Sequence, residues 1–196
     1  MRRTRALGVL VLVGALALSG CTRDKLAEDY RQGTNNGFIS GDGTITEVPV
    51  DQRGEAIEFT GTDEDGETID SADLAGRVVV VNFWYASCAP CRAEAADLEQ
   101  VNSEFAGQDV SFVGVNVRDQ APTAASFAAD YGISYPSIVD TDSSVQLAFT
   151  GDVPPNAVPT TIVLDKKGRV ASRILGQLQE ASILSTLVGD TLAESE

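Results

Sequence analysis

Two cysteines, Cys88 and Cys91, stand three residues apart directly after the apolar run Val78–Trp84. A run of this kind is typical of a strand buried on both faces, and the residues after it have helical periodicity. In the first turn of a helix, residues i and i+3 lie about 5–6 Å apart, a separation that a disulfide spans. Unpaired N–H groups and the positive end of the helix dipole also favour a thiolate there. The spacing therefore predicts a redox pair that closes into a disulfide and reopens.

The first residues have the pattern of an export signal. Three arginines lie within the first five residues, and Ala6–Leu18 is an uncharged apolar stretch, shorter than the ~20 residues of a membrane-spanning helix. It leads into residues 18–21 (LSGC), which resemble the lipobox of bacterial lipoproteins. We predict a lipoprotein signal peptide over residues 1–20 and lipid attachment at Cys21. Ordinary cleavage after the triplet at 15–17 (ALA) is the alternative, and it leaves that cysteine as a free thiol.

The rest of the chain divides into two parts. Residues 21–44 are predicted to be a lipidated flexible tether, because they have little periodicity and few large apolar side chains. Residues 45–196 are long enough for one domain with a single core. The formal net charge of −15 argues against nucleic acid as a partner. The chain has no histidine and no methionine beyond Met1, and we expect neither a metal nor a cofactor.

Strand and helix patterns alternate along the domain. A hairpin is predicted first, with arms at Glu55–Thr60 and Glu67–Ile69. Further strands are predicted at Val78–Trp84, Val110–Val117, Pro136–Val139, Thr160–Leu164 and Val170–Leu175. Helices are predicted from the cysteine pair to Phe105 and at Pro122–Tyr131, Ser143–Phe149 and Gln179–Leu192. This order predicts a mixed sheet flanked by helices, with a right-handed crossover between its parallel strands.

Residues 82–94 (NFWYASCAPCRAE) resemble the active-site segment of the TlpA/ResA branch of the thioredoxin superfamily. Shorter matches follow in the expected order at 113–119 (VGVNVRD), 135–136 (YP), 140–142 (DTD) and 158–161 (VPTT). The resemblance implies an α/β thioredoxin-like fold with a central mixed sheet, an N-terminal β-hairpin and an inserted βα segment. It also implies a thiol–disulfide oxidoreductase tethered to the outer face of the bacterial cell membrane.

The resemblance extends to partners. Many relatives keep the cysteines of apocytochrome c reduced for haem attachment, and others handle the disulfides of exported proteins more generally. We therefore expect exported thiol or disulfide proteins as clients and a membrane electron donor that reduces the pair again. Three departures from the family pattern leave partner choice and proton handling open. Ser87 replaces a frequent tryptophan, Ala89 replaces an acid found in some of the reductases, and Asn82 replaces the buried aspartate of thioredoxin.

The two cysteines are expected to differ in role. Cys88 is nearer the helix start, so it is predicted to be the more exposed, attacking thiol, and Cys91 to resolve the mixed disulfide. A structural disulfide or half of a zinc site is the alternative, although zinc needs more ligands than this pair supplies. Pro90 is predicted to set the first helical turn, where its missing N–H is not needed. Trp84 is predicted to pack beside the sulfurs.

Four further positions complete the predicted site. The resemblance implies that Pro159 follows a cis peptide bond facing the cysteines, with the backbone of Val158 available to a substrate segment. Asp119 is a candidate for accepting the proton of the resolving thiol, and a solvated loop acid is the alternative. Whether Asp119 or Glu94 transfers the proton stays open, and the alternative for Glu94 is that it does no more than stabilise the first helical turn.

Several functions are compatible with a cysteine pair on such a fold. A Cu(I) metallochaperone usually has histidine or methionine ligands, which this chain lacks beyond Met1. A thiol peroxidase has a small hydroxyl residue three positions before its reactive cysteine, where this chain has the aromatic Tyr85. A binding module without redox activity leaves the pair unexplained. The neutral dipeptide Ala89-Pro90 supplies no strong stabilisation of the thiolate, which favours a disulfide reductase. An oxidase that forms disulfides remains the alternative.

Overall fold

The computed structural model describes residues 44–154 and 157–194, which contain eight strands and four α-helices. The strands are β1 (Ile45–Glu47), β2 (Thr60–Thr62), β3 (Thr68–Asp70), β4 (Val78–Trp84), β5 (Val110–Asn116), β6 (Ser137–Val139), β7 (Thr160–Leu164) and β8 (Val170–Leu175). The helices are α1 (Ala89–Glu104), α2 (Ala121–Tyr131), α3 (Ser144–Ala148) and α4 (Ala181–Ala193). No helix in the described ranges combines the length and the apolar character needed to cross a membrane.

Six strands form one mixed sheet in the order β1-β8-β7-β4-β5-β6. Strands β4, β5 and β6 are parallel, whereas β7 runs antiparallel to β4, and β8 pairs antiparallel with both β7 and β1. All seven residues of β4 are buried, as the unbroken apolar run predicts for a central strand. Helix α1 connects the parallel strands β4 and β5. The predicted α/β fold, a mixed central sheet flanked by helices, is confirmed.

The N-terminal hairpin is present, but its first arm lies further along the chain than predicted. Strands β2 and β3 form a separate two-stranded sheet, and residues 55–59 precede it without strand pairing. Their backbone bonds elsewhere: Ile57 N donates to Gly168 O, and Phe59 exchanges hydrogen bonds with Ser71. The Phe59 side chain is buried in the core, so tertiary contacts decide the conformation here. Between α2 and β7, strand β6 and helix α3 form the βα segment that the resemblance implies.

The core has two layers, one on each face of the sheet. On one face, α1 and α4 pack against β4 through residues such as Leu98, Leu184 and Val80. On the other face, the Phe149 ring lies 5.2 Å from that of Phe83 and 5.6 Å from that of Phe59. Helix α4 begins at Ala181, two residues later than Gln179, which the pattern predicted.

A buried arginine ties the two ends of the domain together. The Arg53 side chain is 2% exposed, and its guanidinium donates to Asp165 Oδ2 at 2.9 Å and to both carboxylate oxygens of Glu194 at 2.6 Å. Its Nε donates to Val48 O at 3.0 Å. Asp165 also accepts from Arg169 Nη2 at 2.7 Å. The cluster joins the segment after β1 to the β7–β8 turn and to the end of α4.

Candidate active site

The two cysteines form a disulfide at the N-terminus of α1, with their Cα atoms 5.3 Å apart. Cys88 is the N-cap residue, and its Sγ accepts a hydrogen bond from Cys91 N at 3.2 Å. A sulfur in this position faces the unpaired N–H groups of the first turn, which favours its thiolate once the bond is opened. Pro90 occupies the first turn, as expected, where no N–H is required.

The expected difference in exposure between the cysteines is absent from the disulfide form. Both residues are 3% exposed, although Ser87 and Ala89 on either side of Cys88 are exposed. The burial has an identifiable cause, because both cysteines belong to an apolar cluster with Trp84, Ala95, Ala124 and Phe127. Their positions on the helix still differ, since Cys88 lies at its N-terminus and Cys91 lies one turn further in.

Trp84 lies in this cluster, as predicted, and its indole is held on both sides. Its ring centroid is 4.3 Å from that of Phe127, and its Nε1 donates to Ser137 Oγ at 3.2 Å. The close approach depends on Gly114 in β5. A Cβ at that position would overlap Ser137 Oγ and lie only 2.9 Å from Trp84 Nε1. Glycine therefore leaves the space that the tryptophan and serine share.

The peptide bond between Val158 and Pro159 is cis, as the family resemblance implies. Pro159 is buried and lies directly before β7, and its carbonyl accepts from Gly176 N at 2.9 Å. The partly buried Val158 side chain packs against the cluster that contains the two cysteines. The structure therefore brings together residues that are about 70 positions apart in the chain.

Glu94 differs most from expectation, since it is fully buried instead of supporting only the first turn of α1. Its Oε1 accepts from Asn82 Nδ2 at 2.9 Å, and its Oε2 accepts from Leu178 N at 2.7 Å. Asn82 also donates to Thr161 Oγ1 at 3.1 Å. Burial raises the pKa of Glu94 to about 7, although the hydrogen bonds from Leu178 and Asn82 favour its carboxylate.

Glu94 and Cys91 lie on the same face of α1, because they are separated by three residues. A cavity of about 10 Å³ adjoins Cys91 and is also lined by Asn82 and Tyr135, among others. A space of this size accommodates at most one water molecule. The interior side of the disulfide is therefore closely packed, and Asn82, which lines the cavity beside Cys91, donates to the buried Glu94 carboxyl.

Asp119 lies on the other side of the cysteine loop. Its Oδ2 accepts from Ala86 N at 2.6 Å and from Asn116 Nδ2 at 3.0 Å. These bonds hold the turn that leads from β4 to Cys88. No sequence pattern indicates this structural contact.

Two arginines at the site were not identified from the sequence. Arg92 Nη1 donates to Ala86 O at 3.0 Å, and the Arg118 guanidinium lies 4.0 Å above the centre of the Tyr85 ring. Both arginines are exposed. The Arg118 contact joins two loops that are distant in sequence, so no local pattern indicated it. Cys21 lies outside the described residues, and the described part contains no group of three or more histidine, cysteine or acidic side chains arranged to hold a metal.

Comparison with known proteins agrees with this geometry. The sequence matches the Redoxin family over residues 49–188. The thiol-disulfide oxidoreductase ResA of Bacillus subtilis (strain 168) is 32% identical over 134 residues, which cover 68% of this chain and 73% of ResA.

Two solved structures are similar over most of the chain. A DsbF homologue from Corynebacterium diphtheriae is 35% identical, with a TM-score of 0.68 and coverage of 78% of this chain and 96% of the homologue. A secreted thiol-disulfide isomerase from Corynebacterium glutamicum is 32% identical, with a TM-score of 0.69 and coverage of 81% and 99%. Together with the disulfide at the start of α1, these matches show that the chain belongs to the Redoxin family and, within it, to the TlpA/ResA-type thiol–disulfide oxidoreductases.

Proposed function

We propose that this protein is an extracytoplasmic disulfide reductase, held at the outer face of the cell membrane by a lipid on Cys21. The observation that carries the proposal is the Cys88–Cys91 disulfide, with its first sulfur at the helix N-cap and its second one turn inside. Exported proteins with disulfides are the proposed clients, and apocytochrome c is the specific candidate. The similarity to ResA and to a secreted isomerase supports this assignment.

The proposed reaction exchanges two electrons and two protons. The reduced Cys88 thiolate attacks one sulfur of the client disulfide and forms a mixed disulfide, while the other client sulfur leaves as a thiolate. Cys91, as a thiolate, then attacks the Cys88 sulfur and releases the second client thiol. The client gains two thiols, and the protein becomes the disulfide form. A membrane electron donor then restores both thiols. Val158 packs against the cluster that contains the two cysteines, and its backbone, joined to Pro159 by a cis bond, is the proposed contact for the client backbone.

The resolving step requires Cys91 to lose a proton, and we propose that Glu94 accepts it directly or through one water molecule. A carboxyl with a pKa of about 7 is close to the ordinary thiol value of about 8.5, so the transfer is nearly balanced. Asp119 is the second candidate for the same step. Its Oδ2 already accepts hydrogen bonds from Ala86 N, in the loop before Cys88, and from Asn116 Nδ2, which supports a positioning role.

Glu94→Gln is expected to slow resolution of the mixed disulfide about 10²-fold near pH 7, at the lower end of what a positioned base contributes. The rate of Cys91 attack, measured by stopped flow as a function of pH, should lose its inflection near 7.

A second readout is stability. Because the folded pKa is raised, wild type loses stability as pH rises from about 4.5 to about 7, and the variant should not. Asp119→Asn is the matched control. If it removes the inflection while Glu94→Gln keeps it, the roles are reversed.

The domain boundaries belong to the same proposal. Residues 1–20 act as the signal peptide, 21–44 as the tether, and 45–196 as the thioredoxin-like domain. Cys21→Ala is expected to move most of the protein from the membrane fraction to the soluble extracytoplasmic fraction, because it removes the site of lipid attachment. Several acyl chains together hold a protein at a membrane, where a single chain does not. Fractionation followed by immunoblotting measures this. Cys88→Ala, which keeps the anchor, is the control. Membrane retention of Cys21→Ala equal to wild type would contradict the lipid anchor.

The direction of electron flow is tested by an equilibrium titration of the pair against glutathione. The neutral residues Ala89 and Pro90 add no charged donor between the cysteines to the stabilisation that the helix start gives the thiolate. We expect a potential near that of thioredoxin, about −270 mV. A value near about −120 mV, as in the strong oxidant DsbA, would show that the protein forms disulfides.

A further inference from the structure

The opening of the redox site carries positive charge, although the protein is strongly acidic. The chain has a formal net charge of −15. Arg92 and Arg118 are both exposed, and neither has a carboxylate oxygen within 4.0 Å among the described residues. Here these two side chains are called the arginine rim.

The rim is fixed to the two residues that precede Ser87 and Cys88. Arg92 reaches from α1 to Ala86 O at 3.0 Å, and Arg118 reaches from the end of β5 to the Tyr85 ring at 4.0 Å. The two guanidinium groups therefore approach the cysteine loop from different elements. Arg118 makes no hydrogen bond through its guanidinium within the described part of the chain, which leaves its donors available.

Asp119, which follows Arg118 in the chain, forms no ion pair with either arginine of the rim. Its Oδ2 accepts from Ala86 N, in the loop before Cys88, and from Asn116 Nδ2 at the end of β5. The residues next to the cysteines, Ser87, Ala89 and Pro90, carry no charge. A client segment that reaches Cys88 thus approaches two cations held against the preceding residues Tyr85 and Ala86, and charges act over about 8 Å at physiological salt.

We propose that the arginine rim selects clients that carry a carboxylate beside the reacting cysteine. This inference rests on the proposed exchange reaction and adds a specificity to it. The planar fork of an arginine binds a carboxylate through two parallel N–H groups, which favours aspartate or glutamate over a neutral neighbour. The acidic remainder of the protein repels such a client, so the rim determines where it docks.

The test uses capped peptides whose single cysteine carries a 2-thiopyridyl group and is flanked by aspartate, serine or lysine. The Cys88 thiolate of the reduced protein attacks the peptide cysteine, and 2-thiopyridone leaves. Cys91 then displaces the peptide thiol, and the pair is oxidised. The measured quantity is the rate with the aspartate peptide divided by the rate with the serine peptide. Any change in the reactivity of Cys88 itself affects both rates and cancels in this ratio.

We expect wild type to prefer the aspartate peptide over both others at low salt. The double variant Arg92→Gln/Arg118→Gln should lower the ratio about fivefold, as expected for exposed charge pairs. The matched control is Lys166→Gln/Lys167→Gln, which removes the same charge in the turn at the far end of β7 and should leave the ratio unchanged. In about 1 M salt, where screening acts within about 3 Å, the wild-type preference should disappear.

Three outcomes would overturn the inference. Wild type could react fastest with the lysine peptide, the rim variant could keep the wild-type ratio, or the lysine control could lower it equally. No reaction with any peptide would contradict the proposed function itself, which is a separate result.

Discussion

Cys91→Ala is expected to accumulate mixed disulfides with client proteins, whereas Cys88→Ala is not. Cys88 at the N-cap of α1 still attacks a client disulfide in the first variant, but no second thiol is present to release the product. Without a resolving thiol, disulfide rearrangement takes minutes to hours, so the complexes survive isolation. Cells expressing each variant are quenched with acid, alkylated and examined on non-reducing gels.

The double variant Cys88→Ala/Cys91→Ala is the control for complexes formed through any other cysteine. Both single variants remove a buried sulfur from the same apolar cluster, so the far-ultraviolet circular dichroism of each should be compared with wild type. Equal trapping by both single variants would mean that the thiols are interchangeable. Trapping by Cys88→Ala alone would show that Cys91 is the attacking thiol and Cys88 the resolving thiol.

Arg53→Met is expected to lower the free energy of unfolding by about 3–5 kcal/mol, because it removes the buried guanidinium that joins the buried Asp165 carboxylate to the partly buried Glu194 carboxylate. Asp165 is 5% exposed and Glu194 24% exposed at their side chains. Burial by itself raises the pKa of Asp165, but hydrogen bonds from Arg169 and Arg53 outweigh it and lower the pKa below its usual value. Urea denaturation followed by circular dichroism measures the change.

Arg169→Gln is the matched control, since its guanidinium binds the same Asp165 oxygen from a position that is 24% exposed. We expect it to cost about 1 kcal/mol or less. Adding Asp165→Asn to Arg53→Met should recover part of the loss, because the amide carries no unpaired charge. A loss of less than about 1 kcal/mol for Arg53→Met alone would show that the cluster adds little to stability.

The parts of the fold that could be predicted were those with strong local patterns. The apolar runs at β4 and β5 and the turn between β7 and β8 appear in the sequence as single segments. The arm at Glu55–Thr60 could not be placed correctly, because Phe59 is drawn into the core by contacts with Phe149 far along the chain. The Arg53 cluster joins residues 112 and 141 positions apart, a distance at which no periodicity indicates pairing.

The site shows the same limit, with one exception. The cysteine pair and its helix could be predicted because spacing alone defines them. The burial of Glu94 could have been predicted from helical spacing. It lies on the same face of α1 as Cys91, Leu98 and Val101, which are buried. An acid at an apolar position of a helix indicates a buried carboxyl. Arg118 had no such signal, since its contact with Tyr85 depends on how two loops meet.

The ends of the main sheet have a consequence for behaviour at high concentration. The two outer strands, β1 and β6, are three residues long each, and between them lie strands of five to seven residues. A long exposed edge offers a row of unpaired backbone groups onto which a second chain adds and from which aggregates grow. Short outer strands shorten that row, and like charges on an acidic surface keep copies apart. The architecture thus resists self-association through its backbone, and contact with other chains is left to the redox site at the start of α1.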